Sequence, residues 1–226
     1  MSIELSIIYD NVASKGFISG WGFATLIEKN GQRILFDTGW DGIALLKNLE
    51  QANIDPKTIE FIAISHRHWD HAGGLSTLLY ETKRPMVFVP SSFSSKLKAE
   101  ITKLGELREL TGREGTEIIP GIRTTPELET SDQTLTELAL LIETTKGLVI
   151  LTGCAHPGLE AFIKYGKKQG ELYGVIGGFH GFDKLHLLKE YGLIIPCHCT
   201  QKKEEILTKY PETARECKSG LTFKLE

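Results

Sequence analysis

The sequence predicts an α/β protein, because short β-rich runs ending in Gly, Asp or His alternate with amphipathic stretches along the chain. The composition is typical of a globular protein, with 41% hydrophobic and 24% charged residues among 226. A chain of this length buries roughly 70% of its unfolded surface, so it needs no disulfide or metal to fold. No low-complexity linker or short repeat interrupts it, which favours a single domain over residues 1–226.

The first half of the chain contains clear local signals for its elements. Asn30 and Gly31 separate two strand-like runs and predict a hairpin over residues 25–36, because both central positions of a type I′ turn need positive φ. Asp41 and Ser94 are typical helix caps, each followed by an amphipathic run. The remaining predictions in this half are strands at 61–64 and 86–89 and helices at 41–51 and 94–104.

The second half of the chain contains one segment without clear local signals, followed by several predicted elements. Residues 106–132 have mixed polarity and no clean period, so we expect an irregular segment placed over a site. A second hairpin is predicted over residues 138–151, with its turn at Lys146 and Gly147. The other elements expected here are strands at 172–176 and 193–195 and helices starting near Gly158, Asp183 and Gln201.

Charge and hydropathy exclude several classes of function. The net charge is −3 and the pI is about 6.2, so no cluster of cations is available for nucleic acid or an anionic membrane. No run approaches about 18 apolar residues, and the first residues lack the pattern of a secretion signal. The four cysteines are too few for a disulfide framework. We therefore expect a cytoplasmic protein with reduced thiols and a small-molecule substrate.

The strongest chemical signal is a cluster of metal-ligand side chains directly after the apolar run 61–65. It consists of His66, His68, Asp70 and His71 within six residues. A strand that ends in a tight loop can aim alternate side chains into one cavity, and imidazoles with a carboxylate suit a divalent metal. Arg67 alternates with two of these residues and should point away from them.

Three further histidines each follow an apolar strand-like run. They are His156, His180 and His198, whereas His186 falls inside a predicted helix and is read as a surface or packing residue. Because the carboxyl ends of strands line the ligand crevice in open α/β folds, we expect these side chains to meet the first cluster. Neutral imidazoles with one carboxylate suit zinc, iron or manganese and do not choose among them, and zinc is the metal expected first.

Two motifs together resemble the metallo-β-lactamase superfamily: His-x-His-x-Asp-His after a strand, and the preceding run from Leu35 to Gly39 that contains Asp37. The resemblance implies an αββα four-layer sandwich with one or two metals at the edge of its sheets. A narrower resemblance is to dihydropterin/ribofuranosylaminobenzene phosphate synthase-like proteins of methanopterin biosynthesis. Its motifs are Asp132-Gln-Thr-Leu135, Gly153-Cys-Ala-His156-Pro-Gly158, Gly177-Gly-Phe-His180 and Pro196-Cys-His-Cys-Thr200.

The chain also departs from the superfamily pattern at two places. It has no histidine between Gly74 and Gly153, where a third ligand motif often lies, and it reads Gly153-Cys154 where Gly-Asp is usual. His156 is the substitute ligand that this departure suggests. The resemblance then implies that His66, His68 and His156 hold one ion, and that Asp70, His71 and His198 hold a second.

Several residues near these ligands have two open interpretations. Asp37 is either a carboxylate that orients a ligand histidine or an ordinary turn residue. His180 is expected to contact substrate or act as a general acid, with a direct metal bond as the alternative. Cys154 packs beside the ligands or binds a soft metal. Trp69 and Phe179, like Trp40 and Phe182, either stack on a flat heterocycle or belong to the core.

The function expected first is that of a metal-dependent hydrolase, acting on a phosphoester or related ester through metal-bound hydroxide, with Asp70 and His180 as catalytic residues. The first alternative, implied by the narrower resemblance, is a transferase that condenses a dihydropterin methyl diphosphate with ribofuranosylaminobenzene 5′-phosphate. The second alternative is a non-catalytic metal-binding module. The substrate is thus expected to be phosphorylated or pterin-like, and the oligomeric state is left open.

Overall fold

The computed structural model describes residues 3–112 and 114–226, which form two units, each built on one large β-sheet. The first unit comprises Met1–Thr111 and Lys218–Glu226, and the second comprises Gly112–Cys217. The chain thus leaves the first unit once and returns to it at the end. Mixed strands and helices in both units confirm the predicted α/β class.

The first unit's sheet has seven strands in the order β15-β1-β2-β3-β4-β5-β6. They are β1 (Ile3–Tyr9), β2 (Ala24–Lys29), β3 (Gln32–Phe36), β4 (Phe61–Ala63), β5 (Met86–Pro90), β6 (Glu106–Leu110) and β15 (Thr222–Leu225). The strands β3, β4, β5 and β6 run parallel to one another. The carboxyl ends of β3 and β4 therefore lie side by side, and the residues that follow them share one edge of the sheet.

Helices and a 3-10 turn connect these strands. They are α1 (Gly42–Gln51), α2 (Trp69–Ala72), α3 (Leu75–Glu81), α4 (Ser95–Leu104) and a 3-10 helix at Pro56–Thr58. The predicted cap is confirmed at α1, where the Asp41 side chain accepts the backbone N–H groups of Ile43 and Ala44. Leu45 and Leu49 of that helix are fully buried in the hydrophobic core of the first unit, together with side chains of its sheet.

The second unit's main sheet has six strands in the order β14-β13-β12-β11-β8-β7, and β9 pairs with β10 separately. The strands are β7 (Glu117–Ile119), β8 (Ile122–Thr124), β9 (Leu128–Glu129), β10 (Thr136–Glu137), β11 (Leu140–Thr144), β12 (Gly147–Thr152), β13 (Leu172–Gly178) and β14 (Leu193–Cys197). The helices are α5 (Leu159–Gln169), a 3-10 helix (Leu185–Glu190) and α6 (Lys203–Lys209). Because β12, β13 and β14 are parallel, the residues after them again share one sheet edge.

Both predicted hairpins are confirmed. Asn30 and Gly31 have φ values of 54° and 83° between β2 and β3, as a type I′ turn requires. The expected irregular segment at 106–132 is wrong, because it contains the four short strands β6 to β9. Of these strands, β6 and β7 lie at sheet edges, β8 lies next to an edge, and β9 belongs to a two-stranded pair. The β6 sequence, for example, is mostly exposed and lacks apolar alternation. The helix expected after Asp183 is a 3-10 helix.

Candidate metal centre

Asp37 organises the ligand loop of the first unit. It directly follows β3, has a positive φ of 61°, and is fully buried. Its carboxylate accepts the backbone N–H and the hydroxyl of Ser65, each at 2.7 Å, and Nδ1 of His71 at 2.6 Å. These contacts favour the interpretation of Asp37 as a carboxylate that orients a predicted ligand histidine.

These hydrogen bonds fix which ring nitrogen carries the proton. Ser65 has one hydroxyl proton and donates it to Asp37, so its oxygen accepts from Nδ1 of His66 at 2.9 Å. His66 and His71 therefore both carry their proton on Nδ1, and each directs the lone pair of Nε2 to the other side of the ring. A histidine that binds a metal through one ring nitrogen typically donates the N–H of its other ring nitrogen to a nearby acceptor, as both rings do here.

The distance between two ligand atoms fits a single ion. Nε2 of His66 lies 3.1 Å from Nδ1 of His68. Two nitrogens bound to one zinc at about 2.05 Å with a tetrahedral angle are about 3.3 Å apart. The His66 and His71 rings also lie close, with centroids 4.2 Å apart. The residues present therefore fit a divalent ion.

Asp70 completes the cluster of the first unit. It lies in α2, is 8% exposed, and places Oδ2 4.0 Å from Nε2 of His71. The same oxygen accepts the indole N–H of Trp21 at 2.9 Å. Trp21 is a contact that the sequence does not reveal, because it lies 49 residues earlier in the chain. Arg67 is exposed, as the alternation predicted.

The backbone of this loop is held against the end of β3. The backbone N–H and the hydroxyl of Thr38 both donate to the carbonyl of His71, each at 2.8 Å. These two bonds connect the residue after Asp37 to the last residue of the ligand motif. The ligand cluster is thus built on two neighbouring parallel strand ends of one sheet, which gives it a rigid base.

In the second unit, Glu137 fixes the loop that carries His156. The side chain is fully buried, and its Oε1 accepts the N–H groups of Cys154 and Ala155, both at 2.8 Å. Oε2 accepts the N–H of His156 at 2.7 Å. Ala155 has a φ of 59°, so this carboxylate stabilises a loop conformation that a non-glycine residue rarely adopts. Sequence reasoning did not identify Glu137.

His180 and His198 lie at neighbouring strand ends of the second unit, after β13 and β14. Both have a φ of 44°. His180 is exposed and its ring centroid lies 4.9 Å from that of His156, whereas His198 is 6% exposed. The N–H of Gln201 donates to the carbonyl of His180 at 3.0 Å, which connects the two strand ends. His186 is exposed, in agreement with its predicted surface position.

The four cysteines, all in the described part of the second unit, form no disulfide. Cys154 is buried and its Sγ lies 3.1 Å from Sγ of Cys199. Cys197 is fully buried and donates to the carbonyl of Ile195 at 3.3 Å, as expected for a packed thiol.

The aromatic residues divide into two groups. Trp40 and Trp69 are 54% and 51% exposed, whereas Phe179 and Phe182 are 1% and 7% exposed. Both phenylalanines belong to the hydrophobic core of the second unit, which favours the core interpretation of their side chains. Trp69 keeps the exposure that its predicted contact with substrate requires.

No helix within the described residues combines the length and the apolar character needed to cross a bilayer.

Comparison with protein families matches residues 22–147 to the family described as the metallo-beta-lactamase superfamily. Among curated proteins, the chain is 31% identical to 7,8-dihydropterin-6-methyl-4-(beta-D-ribofuranosyl)-aminobenzene-5′-phosphate synthase of Methanocaldococcus jannaschii, with 82% of each chain covered.

Solved structures also match nearly the full length of the chain, and two of them illustrate the likeness. One is a metal-dependent hydrolase of the beta-lactamase superfamily, with a TM-score of 0.81, 24% identity and 99% of both chains covered. The other is zinc-bound PqqB from Methylobacterium extorquens, with a TM-score of 0.72, 13% identity, and 98% of this chain and 100% of that chain covered. At these identities the likeness establishes the fold, which confirms the predicted metallo-β-lactamase-like class.

Proposed function

Because the chain belongs to the metallo-beta-lactamase superfamily, we propose that it is a metal-dependent enzyme, in the first place a hydrolase of a phosphoester or related ester. The observation that carries this proposal is the pair of ligand nitrogens on His66 and His68, 3.1 Å apart. Support comes from the buried hydrogen bonds of Asp37 and Ser65, which hold the His66 and His71 rings in the tautomer that a metal ligand needs.

The proposed ligands in the first unit are His66, His68, Asp70 and His71. His156 and His198 are proposed as further ligands on the basis of the sequence. Zinc is the proposed metal, with iron or manganese as alternatives, because nitrogen ligands with one carboxylate suit all three. When bound, a divalent cation makes water more acidic and neutralises charge on a phosphoryl oxygen.

Other residues of the chain are proposed to orient the ligands and to transfer a proton. Trp21 holds Oδ2 of Asp70 through its indole N–H, which fixes the carboxylate in one orientation toward the cluster. His180, exposed beside His156, is the proposed donor of a proton to the oxygen of the leaving group. Asp37 lies on the Nδ1 side of the His66 and His71 rings, opposite the Nε2 atoms. It holds the His71 ring directly and the His66 ring through Ser65.

The test uses protein reconstituted with zinc, iron or manganese and aryl phosphomonoesters and phosphodiesters as substrates. The proposal expects turnover that depends on the metal, is abolished by a chelator, and falls at least about 100-fold in Asp70→Ala. The matched control is Asp55→Ala, which removes an exposed aspartate that lies outside the ligand motif and caps the 3-10 helix Pro56–Thr58. Turnover that survives chelation, or full turnover in Asp70→Ala, overturns the proposal. A reconstituted protein without any turnover supports the non-catalytic alternative instead.

A second candidate function is a dihydropterin transferase, and a specific observation favours it. The Methanocaldococcus jannaschii synthase is 31% identical over 82% of both chains, so the likeness spans most of each protein. In this reaction the same cluster would hold the diphosphate of a dihydropterin methyl diphosphate while ribofuranosylaminobenzene 5′-phosphate displaces it. Release of diphosphate only when both substrates are present supports the transferase, whereas release with water alone supports the hydrolase.

A further inference from the structure

The chain has three tryptophans, and all three lie on the surface of the first unit. Trp21, Trp40 and Trp69 are 53%, 54% and 51% exposed. Tryptophan is a residue that folding normally buries to a high degree, and exposed apolar clusters in soluble proteins usually mark a binding surface. Together these three residues are termed the indole wall.

Direct contacts hold the indole wall in place. The rings of Trp40 and Trp69 meet edge to face, with centroids 4.1 Å apart and an interplanar angle of 88°. Trp21 donates its indole N–H to the carboxylate of Asp70 at 2.9 Å. The wall is therefore attached to a proposed metal ligand, and Trp69 is the residue directly before that ligand in the chain.

Two glycines allow the backbone segments that carry the indoles to meet. A Cβ atom on Gly22 would lie 2.5 Å from the carbonyl oxygen of Asp70 and 3.0 Å from the nitrogen of Trp40. On Gly73 it would lie 2.4 Å and 2.5 Å from the carbonyl oxygens of Trp40 and Trp69. Glycine is thus required where these segments touch, and the indoles are positioned before any ligand arrives.

We propose that the indole wall binds a flat aromatic or heteroaromatic ring of the substrate, next to the phosphate that the metal cluster would hold. An edge-to-face pair leaves a corner of two perpendicular indoles, and a planar ring can stack on one while its edge meets the other. This inference rests on the proposed function, since it assigns the substrate's second recognition group.

The experiment measures binding of two probes to the metal-loaded protein by calorimetry. The probes are 1-naphthylphosphonate, which carries a flat ring, and methylphosphonate, which does not. We expect the naphthyl probe to bind about tenfold more tightly, and Trp40→Leu and Trp69→Leu to remove that advantage without changing the methyl probe's affinity. The matched control is Tyr80→Leu, which removes an aromatic residue that is 71% exposed at the end of α3.

Equal affinity of the two probes in the unsubstituted protein overturns the indole wall as a ring site. A dimer that is seen by light scattering and dissociates in Trp40→Leu also overturns the proposal, because a second copy of the chain would then cover the indole wall. Failure of the proposed function gives a different result: neither probe then shows metal-dependent binding. Circular dichroism of each variant checks that an exposed Trp→Leu change leaves the fold intact.

Discussion

Glu137→Gln tests the role of the buried carboxylate that fixes the His156 loop. The carboxylate accepts three backbone N–H groups at 2.7–2.8 Å. A glutamine oxygen can keep two of them, but its amide group then faces the third N–H, donor against donor. Losing one charge-assisted hydrogen bond costs about 1.5–3 kcal/mol, and the other two bonds become weaker because the acceptor is neutral. We therefore expect a loss of about 3 kcal/mol in the free energy of unfolding.

The assay is equilibrium unfolding in urea, followed by circular dichroism. With an m-value of about 2.5 kcal/mol/M, a loss of about 3 kcal/mol lowers the midpoint by about 1 M. Glu143→Gln is the matched control, because it makes the same change at an exposed position in the same unit and should leave the midpoint unchanged. A Glu137→Gln midpoint within about 0.2 M of the unsubstituted protein would refute the reasoning from these three bonds.

Three further predictions concern the ligand loop and one surface ion pair. Asp37→Asn removes a carboxylate that orients ligand histidines, so metal affinity should fall about 10–100-fold in a chelator competition; unchanged affinity contradicts this role. Gly22→Ala places a Cβ 2.5 Å from a carbonyl oxygen at a φ of 144°, and should lower Tm by about 5 °C in calorimetry; an unchanged Tm contradicts the close contact. The hydrogen bond and charge of Lys167 lower the pKa of Glu190, so this pair contributes stability above the ordinary carboxyl pKa and loses it as pH falls through the lowered value. In Lys167→Gln the Glu190 pKa should rise in a carboxyl NMR titration, and an unchanged value contradicts the pairing.

The elements that the sequence predicts well are those with local chemical signals. The Asn30-Gly31 turn and the Asp41 cap each depend on residues within a few positions of one another, and both are confirmed in the structure. The clustered ligand motif is a signal of the same local kind. Such signals need no knowledge of tertiary contacts. The superfamily assignment follows from the same local motifs.

The features that sequence reasoning misses are contacts over long distances in the chain. Trp21 reaches Asp70 across 49 residues, and Glu137 accepts N–H groups 17 to 19 residues later. Neither residue lies in a motif with recognisable spacing, so only the folded structure brings them to their partners. The segment 106–132 is mispredicted for a related reason: its short strands owe their structure to their neighbours in the sheets and lack a periodic apolar pattern.

The most direct test of the metal centre is elemental mass spectrometry of untagged protein, purified without chelator or oxygen. We predict one or two divalent ions per chain, reduced in His66→Ala and retained in His186→Ala, which removes an exposed histidine outside the cluster. Two ions would match the full proposed ligand set. A protein that holds no ion after reconstitution, or a His66→Ala variant with an unchanged metal content, would contradict the proposed metal centre.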